Sequence, residues 1–243
     1  MTDYDPLADH RLVDVEVYEG RLLAFCEMAG LTGGFAGLRV LVLGSALGGE
    51  SIAANRMGAA RVIGLDVDPA LIAKSQEIAS ETGLESLQFM HFAGDRFPDL
   101  EPMDIVLSGH VIEHTADPSL HLDECLRVLR PGGYLFLEFP SRFHWRELHT
   151  GLVSFEWLPK PLRVGMNAVA GSVGSIGHRD VSRKRIARRE INQELRQVST
   201  VQVRYWIRRH PGCAIVARKV PAPGIVRLCI KRAAAEAAMP NLT

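Results

Sequence analysis

Two short segments place histidine close to a carboxylate, the combination that general acid–base chemistry uses. The first reads HVIEH and contains His110, Glu113 and His114. The second contains Glu147 and His149. A neutral imidazole accepts a proton near neutral pH, and a neighbouring carboxylate orients the ring. We therefore expect His149 or His114 to act as a general base on a hydroxyl group, with Glu147 orienting His149.

Both segments allow other interpretations. Glu113 and His114 could instead cap and orient the helix that follows, and HxxEH is also the inverted zinc-peptidase motif. That motif needs one helix face, whereas these residues leave a predicted strand and precede TADP. We therefore expect no metal, and binding of a divalent ion by His110, Glu113 and His114 is the less favoured alternative. In the second segment, His144 and Trp145 could shape an acceptor pocket or belong to a surface loop.

A loop of small residues follows an apolar stretch where residues 40–51 read VLVLGSALGGES. Glycine permits a tight turn and a close ligand, and the N-terminus of the next helix presents unpaired N–H donors. A second apolar stretch ends at Asp66, about 20 residues further on, the spacing at which a carboxylate binds a ribose diol. Asp68-Pro69 is typical of a helix N-cap, which leaves Asp66 for the ligand. This pattern favours a nucleotide-like ligand over an ordinary turn.

Strands and helices alternate up to residue 139, as in a parallel sheet covered on both faces. We predict an α/β, Rossmann-like, doubly wound sheet with a substrate-binding insertion after strand five. The predicted strands are Val40–Gly44, Arg61–Leu65, Leu87–Phe92, Asp104–Ser108 and Tyr134–Phe139, with an RPGG turn before the last. The predicted helices are Val13–Ala29, Ser51–Met57, Ala70–Thr82 and Ser119–Leu129.

The rest of the chain is less regular, and residues 141–177 predict a lid or substrate-binding insertion. Further elements are expected as helices over Asp180–Val198, Val201–Arg209 and Ile225–Ala238 and a strand over Cys213–Val220. The second of these helices also alternates like a strand. We predict one domain, with a helical cap over 1–34, a core over 35–140, the insertion over 141–200 and C-terminal elements over 201–243.

Composition narrows the class of protein. The 243 residues carry 28 Lys and Arg against 28 Asp and Glu, so no global field favours nucleic acid or an anionic membrane. No apolar run reaches about 18 residues and no signal-peptide pattern opens the chain, so we expect a cytoplasmic protein. The cysteines lack CxxC spacing, which predicts reduced thiols rather than a zinc knuckle or disulfides. They are Cys26, Cys125, Cys213 and Cys229.

Over Phe35–Pro140 the ordered motifs resemble those of the class I S-adenosylmethionine-dependent methyltransferases, in the UbiE/UbiG-like small-molecule branch. The matching motifs are VLVLGSALGG, GLDVDP, the Gly-Asp pair at 94–95, DIVLSGHVIEHTADP and LRPGGYLFLEFP. The resemblance implies a seven-stranded sheet whose last strand is antiparallel. It also implies S-adenosyl-L-methionine as the cofactor and S-adenosyl-L-homocysteine as the product.

The resemblance further implies which residues contact the cofactor. The loop Gly44–Gly48 would surround the methionine part, Asp66 would hold the ribose, and Asp95 with Arg96 would border the adenine. His110 would line the pocket through its backbone. The full implied set is Gly44, Ser45, Ala46, Gly48, Glu50, Asp66, Val67, Gly94, Asp95, Arg96 and His110.

Two residues depart from the family pattern. Val42 stands where relatives carry an acidic residue, and Ala46 stands where they carry glycine. Alanine is compatible with that position if its φ stays negative. Glu50 could replace the missing carboxylate as the partner of the methionine ammonium group. The last antiparallel strand is not evident, and Ile225–Lys231 is its candidate.

These observations predict an O-methyltransferase that acts on a small hydroxylated metabolite such as a natural product, sugar or lipid intermediate. We expect a small-molecule acceptor, no membrane span, no nucleic acid and room for a homodimer. The basic clusters at 183–185 and 188–189 suggest RNA methylation as an alternative. Val42 and Ala46 motivate another alternative, a non-catalytic cofactor-binding or regulatory protein.

Overall fold

The computed structural model describes residues 15–93, 96–142, 162 and 198–234. Its helices are α1 (Val15–Ala29), α2 (Gly49–Arg56), α3 (Pro69–Thr82), α4 (Pro118–Val128) and α5 (Thr200–Ile207). Its strands are β1 (Arg39–Leu43), β2 (Arg61–Asp66), β3 (Leu87–His91), β4 (Met103–Gly109), β5 (Leu129–Pro140), β6 (Cys213–Lys219) and β7 (Ile225–Arg232). A 3-10 turn over Ile112–His114 follows β4.

The described strands form one sheet in the order β3-β2-β1-β4-β5-β7-β6. Strands β1 to β5 are parallel, and β7 lies antiparallel between β5 and β6. The predicted α/β class and the implied seven strands are therefore confirmed. Chain order reverses direction across the β1–β4 pair, and open α/β sheets bind ligands beside such a switch point.

The helix predicted over Ile225–Ala238 is wrong where the structure describes it, because β7 occupies Ile225–Arg232. The alternative strand is correct. Val226, Leu228 and Ile230 are buried, and the strand hydrogen-bonds neighbours on both edges. The Ala-rich composition that favours a helix belongs to the residues after this strand. Averaging helix propensity over Ile225–Ala238 therefore hides the strand at its start.

Alternation along the strands builds a core on each face of the sheet. Val40 and Val42 belong to the cluster that contains Phe25 of α1. Leu41 and Leu43 belong to the cluster that also contains residues of α4 and α5. Because successive side chains of a strand point to opposite faces, the continuous apolar run of β1 fills both clusters.

Helix caps fix where the connecting loops stop. The Asp68 side chain accepts a hydrogen bond from Ala70 N at 2.8 Å, which confirms the predicted N-cap of α3. Ser199 and Gln202 form a capping box, so α5 is a helix rather than the alternating strand. The predicted RPGG turn instead lies inside β5, which already pairs at Leu129 before a register shift.

Most of the insertion predicted over residues 141–200 lies outside the described residues, as do residues 235–243. The division into a cap, a core, an insertion and C-terminal elements therefore stays a prediction. Among the described residues, no helix is both long enough and apolar enough to cross a membrane.

Candidate functional site

A cavity of about 230 Å³ opens where the carboxyl ends of β1, β2 and β4 meet. Phe92, Phe97 and Val111 give it largely apolar walls. Several polar side chains also line it, among them Asp66, His114, Asp117 and His121. A largely apolar cavity with a few convergent polar groups at a topological switch point is the usual form of a small-ligand site.

The loop between β1 and α2 approaches this cavity in a left-handed backbone conformation. Gly44 has a φ of +62° and lines the cavity, and Gly48 has a φ of +90°. Ala46 has a φ of +45°, so the negative φ that would make alanine compatible with this position is not present. That region costs a non-glycine residue about 1–2 kcal/mol. The Ala46 N–H donates to Asp66 Oδ2 at 2.8 Å, and this bond holds the loop in place.

Asp66 ends β2 and is buried, with 8% of its surface exposed. Its Oδ1 accepts a hydrogen bond from Asp68 N at 3.0 Å, while Oδ2 accepts the hydrogen bond from Ala46 N of the loop. A carboxylate has about four lone-pair sites, so this one can accept further bonds from the cavity. The geometry fits the ribose-binding role predicted for Asp66, and Val67 lines the same cavity.

The methionine-binding region implied by the sequence contains buried polar atoms that lack partners. Among the described residues, Ser45 Oγ, Glu50 Oε1, Ser51 Oγ and Arg21 Nε are buried without a hydrogen bond. Buried polar groups are nearly always satisfied in native proteins. An amino-acid zwitterion carries both donors and acceptors, so the chemistry of these atoms fits the methionine end of the cofactor.

Arg21 of α1 is a residue that the sequence did not reveal. Its Nη2 lies 2.7 Å from Glu50 Oε2, and its Nη1 lies 3.3 Å from Glu138 Oε1. Burial opposes its charge, yet the two carboxylates raise the pKa of the Arg21 guanidinium. Glu50, predicted as a substitute for the acid missing at Val42, thus lies beside the loop in an ion pair.

His110 lies between two carboxylates. Its Nε2 is 3.1 Å from Glu138 Oε1, and its Nδ1 is 3.5 Å from Glu113 Oε1. Its backbone is left-handed, with a φ of +57°, and its N–H donates to the Glu138 carbonyl. Burial opposes the charge, but Glu113 and Glu138 together raise the pKa of His110 to about 9. His110 therefore keeps its proton at neutral pH.

Glu138 joins these groups into one ionic cluster. Arg227 of β7 donates to Glu138 Oε2, and only 2% of Glu138 is exposed. Burial would raise the pKa of its carboxyl, but His110, Arg21 and Arg227 lower it to about 2. The sequence signal was a single acid inside the apolar stretch YLFLEFP. We call the following residues the ionic cluster: Arg21, Glu50, His110, Glu113, Glu138 and Arg227.

His114 lies on the 3-10 turn, exposed and on the wall of the cavity that Asp66 also lines. Glu113, one residue before it, is fully buried in the ionic cluster. The HVIEH segment thus leaves a strand and does not form one helix face. Within residues 15–93, 96–142 and 198–234, no group of three or more His, Cys, Asp or Glu could hold a metal ion.

A buried histidine, His121, escaped the sequence analysis. His121 of α4 lines the cavity, and its Nε2 lies 2.9 Å from Ser108 Oγ and 3.6 Å from Cys125 Sγ. Burial lowers the pKa of His121 to about 4, so its ring is neutral at pH 7. Its position among the apolar residues of an amphipathic helix was the signal that it faces inward.

Other predicted site residues are placed less closely or not described. Arg96 is exposed. Outside the described residues lie Gly94, Asp95, His144, Trp145, Glu147, His149 and both basic clusters. Their roles, and the choice between His149 and His114 as the base, stay predictions.

Comparison with known proteins shows that the central part of the chain is similar to methyltransferases. Residues 41–137 match the family model described as a methyltransferase domain. The ubiquinone biosynthesis O-methyltransferase of Nitrobacter winogradskyi is 34% identical over 129 residues, which are 51% of this chain and 48% of that protein. The Maricaulis maris protein of the same name is 33% identical over 137 residues, 55% and 53% of the two chains. The chain thus spans about half the length of these curated relatives.

Solved structures share the fold at low sequence identity. An S-adenosylmethionine-dependent methyltransferase from Aquifex aeolicus superposes with a TM-score of 0.58 at 13% identity, covering 94% of this chain and 99% of that one. Magnesium protoporphyrin IX methyltransferase from Synechocystis, with S-adenosylhomocysteine bound, superposes with a TM-score of 0.60 at 16% identity, covering 92% and 85%. These likenesses establish the fold.

Proposed function

Because this chain carries a class I methyltransferase domain, we propose that it binds S-adenosylmethionine and transfers the methyl group to a hydroxyl of a small acceptor. The observation that carries the proposal is the set of buried, unpartnered polar atoms beside the β1–α2 loop, next to a cavity lined by Asp66. The names of the curated relatives support oxygen as the attacked atom.

The charge of each residue indicates which part of the cofactor it would bind. We assign the methionine ammonium to Glu50 and the methionine carboxylate to Arg21, whose Nε lacks a partner among the described residues. We assign the ribose diol to Asp66 and the base to the apolar part of the cavity. The bound cofactor supplies an electrophilic methyl group on a sulfonium.

The acceptor hydroxyl needs a base. Two histidines that the structure describes, His110 and His114, and the sequence-predicted His149 are the candidates for that role. His110 already carries its proton at neutral pH, with both ring nitrogens close to carboxylates. His114 is exposed at the wall of the cavity and is the better candidate among the described residues. The role predicted for His149 stays a prediction. Single substitutions of His114 and His149 distinguish which of the two is the base.

Calorimetric titration with S-adenosylmethionine and S-adenosylhomocysteine tests cofactor binding. Asp66→Asn removes the charge but keeps an oxygen that can accept from Ala46 N. We expect this variant to bind at least about tenfold more weakly, because the loss of a charge-assisted hydrogen bond costs about 1.5–3 kcal/mol. Asp68→Asn is the matched control, since asparagine also caps helices. Equal affinity in both variants would remove Asp66 from the site.

Turnover tests the transfer itself. The protein is incubated with labelled S-adenosylmethionine and a panel of hydroxylated aromatic, sugar and lipid-derived acceptors. For any acceptor that is methylated, we expect His114→Gln or His149→Gln to lower kcat by about 10²-fold or more, the usual contribution of a general base. The Kd of the cofactor should stay the same. Full kcat in the double variant would overturn the assignment of the base.

Binding without turnover on any acceptor would favour the non-catalytic alternative. The absence of binding would do so more strongly, because the altered loop would then have lost its ligand.

A further inference from the structure

We infer that His121 reads the base of the bound cofactor, with Ser108 fixing its tautomer so that Nδ1–H donates a hydrogen bond to a ring nitrogen of adenine. This inference rests on the proposed function, since it takes S-adenosylmethionine as the ligand of the cavity. It assigns a specificity-determining residue on α4 that lines the same cavity as Asp66.

The position of His121 supports the inference. The ring lines the cavity, yet only 5% of the residue is exposed. Phe97 packs against it edge to face, with ring centroids 5.8 Å apart and an interplanar angle of 81°. Its contacts with Ser108 and Cys125 both involve Nε2. The imidazole plane is therefore held on two sides, and Nδ1 is the polar atom left for a ligand.

The hydrogen-bond balance at Ser108 selects the tautomer. Ser108 is fully buried, and among the described residues its hydroxyl has one hydrogen-bond partner, His121 Nε2 at 2.9 Å. A buried donor left without an acceptor costs about 1–3 kcal/mol. The hydroxyl therefore donates to Nε2, and the single proton of the neutral ring resides on Nδ1.

The surroundings keep this ring uncharged. Burial lowers the pKa of His121 to about 4. Burial also raises the pKa of the Cys125 thiol, so no thiolate is present beside the ring to draw a second proton. A neutral donor in an apolar cavity suits an uncharged ring nitrogen, whereas a cationic imidazolium would carry a large desolvation cost.

The shape and chemistry of the cavity match a flat heteroaromatic base. Phe92, Phe97 and Val111 offer apolar contact to the faces of a ring, and Asp66 offers a carboxylate for the attached diol. A base needs at least one in-plane partner if the site is to distinguish it from another flat ring. Nδ1 of His121 supplies that partner as a donor.

Calorimetry with base-modified ligands tests the inference. The full chain is titrated with S-adenosylhomocysteine and with three analogues in which N1, N3 or N7 of the adenine is replaced by CH. We expect one analogue to bind about tenfold more weakly to the wild type, the cost of one hydrogen bond with a buried donor left unpaired. His121→Phe should bind all four ligands alike and S-adenosylhomocysteine about tenfold more weakly.

A control variant separates recognition from the packing of α4. His210 Nε2 donates to Asp123 Oδ1 of α4 at 2.7 Å, outside the cavity. His210→Gln should discriminate among the analogues as the wild type does. Ser108→Ala should weaken the discrimination among the analogues, because no hydroxyl then fixes the proton of His121 on Nδ1.

Nitrogen NMR of the wild type makes the test independent of any substitution. With ¹⁵N-labelled histidine, His121 should show a protonated Nδ1 and a bare Nε2, and Nδ1 should shift when S-adenosylhomocysteine binds. A bare Nδ1, equal binding of all analogues by the wild type, or full discrimination in His121→Phe would overturn the inference alone. A folded wild type that binds no S-adenosylhomocysteine would overturn the proposed function and the inference with it.

Discussion

His110, which follows β4, and His121, which lines the cavity from α4, have opposite protonation states although they belong to neighbouring segments. His110 lies between Glu113 and Glu138 and keeps its proton, while His121 lies against Ser108 and Phe97 and stays neutral. His110 is partly buried and His121 is buried, and burial lowers the pKa of a histidine in both cases, so burial does not explain why the pKa of His110 is raised. Carboxylates within about 3.5 Å offset the cost of burying a charge, whereas an aromatic ring and a hydroxyl do not.

This contrast divides the sheet edge into two halves. The ionic cluster occupies one half and draws residues from α1, α2, β5 and β7. The neutral half lies between β4 and α4. The proposed ligand has the same division, with a charged amino-acid end and an uncharged base.

The largest effect is expected where the ionic cluster is broken. Glu138→Gln leaves Arg21, His110 and Arg227 without their shared carboxylate in a buried position. Removing one partner of a buried ion pair costs about 3–5 kcal/mol. Urea denaturation should show that loss in the free energy of unfolding. Asp123→Asn, which alters the more exposed pair with His210, should change it by less than about 1 kcal/mol. Equal losses would mean that the cluster contributes no more than a surface pair.

The stability of the folded protein at acidic pH should depend on His121, in the neutral half. The pKa of His121 is about 4 in the folded protein, against an ordinary value of 6.5, so the unfolded chain binds more protons between these values. Its contribution to stability is present above pH 6.5 and is lost as the pH falls towards 4. His121→Phe should lack about 2 kcal/mol of the acid-induced loss between pH 7 and 4.5. His210→Gln should retain it, and an unchanged acid curve in His121→Phe would contradict the neutral state of the ring.

The stability of the folded protein at alkaline pH should depend on His110, in the ionic half, and the pH dependence has the opposite sign. The pKa of His110 is about 9 in the folded protein, against an ordinary value of 6.5. Its contribution is fully present below pH 6.5 and is lost as the pH rises through 9. Denaturation midpoints of wild type and His110→Gln should therefore converge between pH 6.5 and 9. A constant difference across that range would show that His110 is not protonated in the fold.

The smallest effect on the free energy of unfolding is expected at Ala46, in the loop between β1 and α2. Ala46→Gly removes the left-handed penalty at a φ of +45° but adds flexibility to the unfolded chain. We expect a gain of about 0.5 kcal/mol in the free energy of unfolding. Ala53→Gly, inside α2, should instead lose about 1 kcal/mol. A loss of similar size in both variants would mean that the alanine at 46 is not strained.

Much of the fold was readable from local patterns. Apolar runs bounded by glycine and aspartate predicted β1 to β4 within a residue or two, and Asp68-Pro69 predicted the start of α3. The failure at Ile225–Arg232 has a physical reason. Val226, Leu228 and Ile230 alternate with the more polar residues of β7, but this short signal was outweighed by the Ala-rich residues that follow, and the pairing with β5 and β6 that makes it a strand is tertiary.

The candidate site divides in the same way. Asp66 and the glycine loop were predictable because a strand end and the following turn lie close together in sequence. Arg21 and Glu138 are separated by 117 positions, and Arg227 is 89 positions from Glu138. No local pattern records that such residues meet.

The sequence by itself therefore determined the alternation of strands and helices, the loop that approaches the ligand and the acid that ends β2. Tertiary structure alone decided which histidine is charged and which is neutral. The reason is that a pKa depends on the groups within a few ångströms, and those groups come from strands and helices distant in the chain.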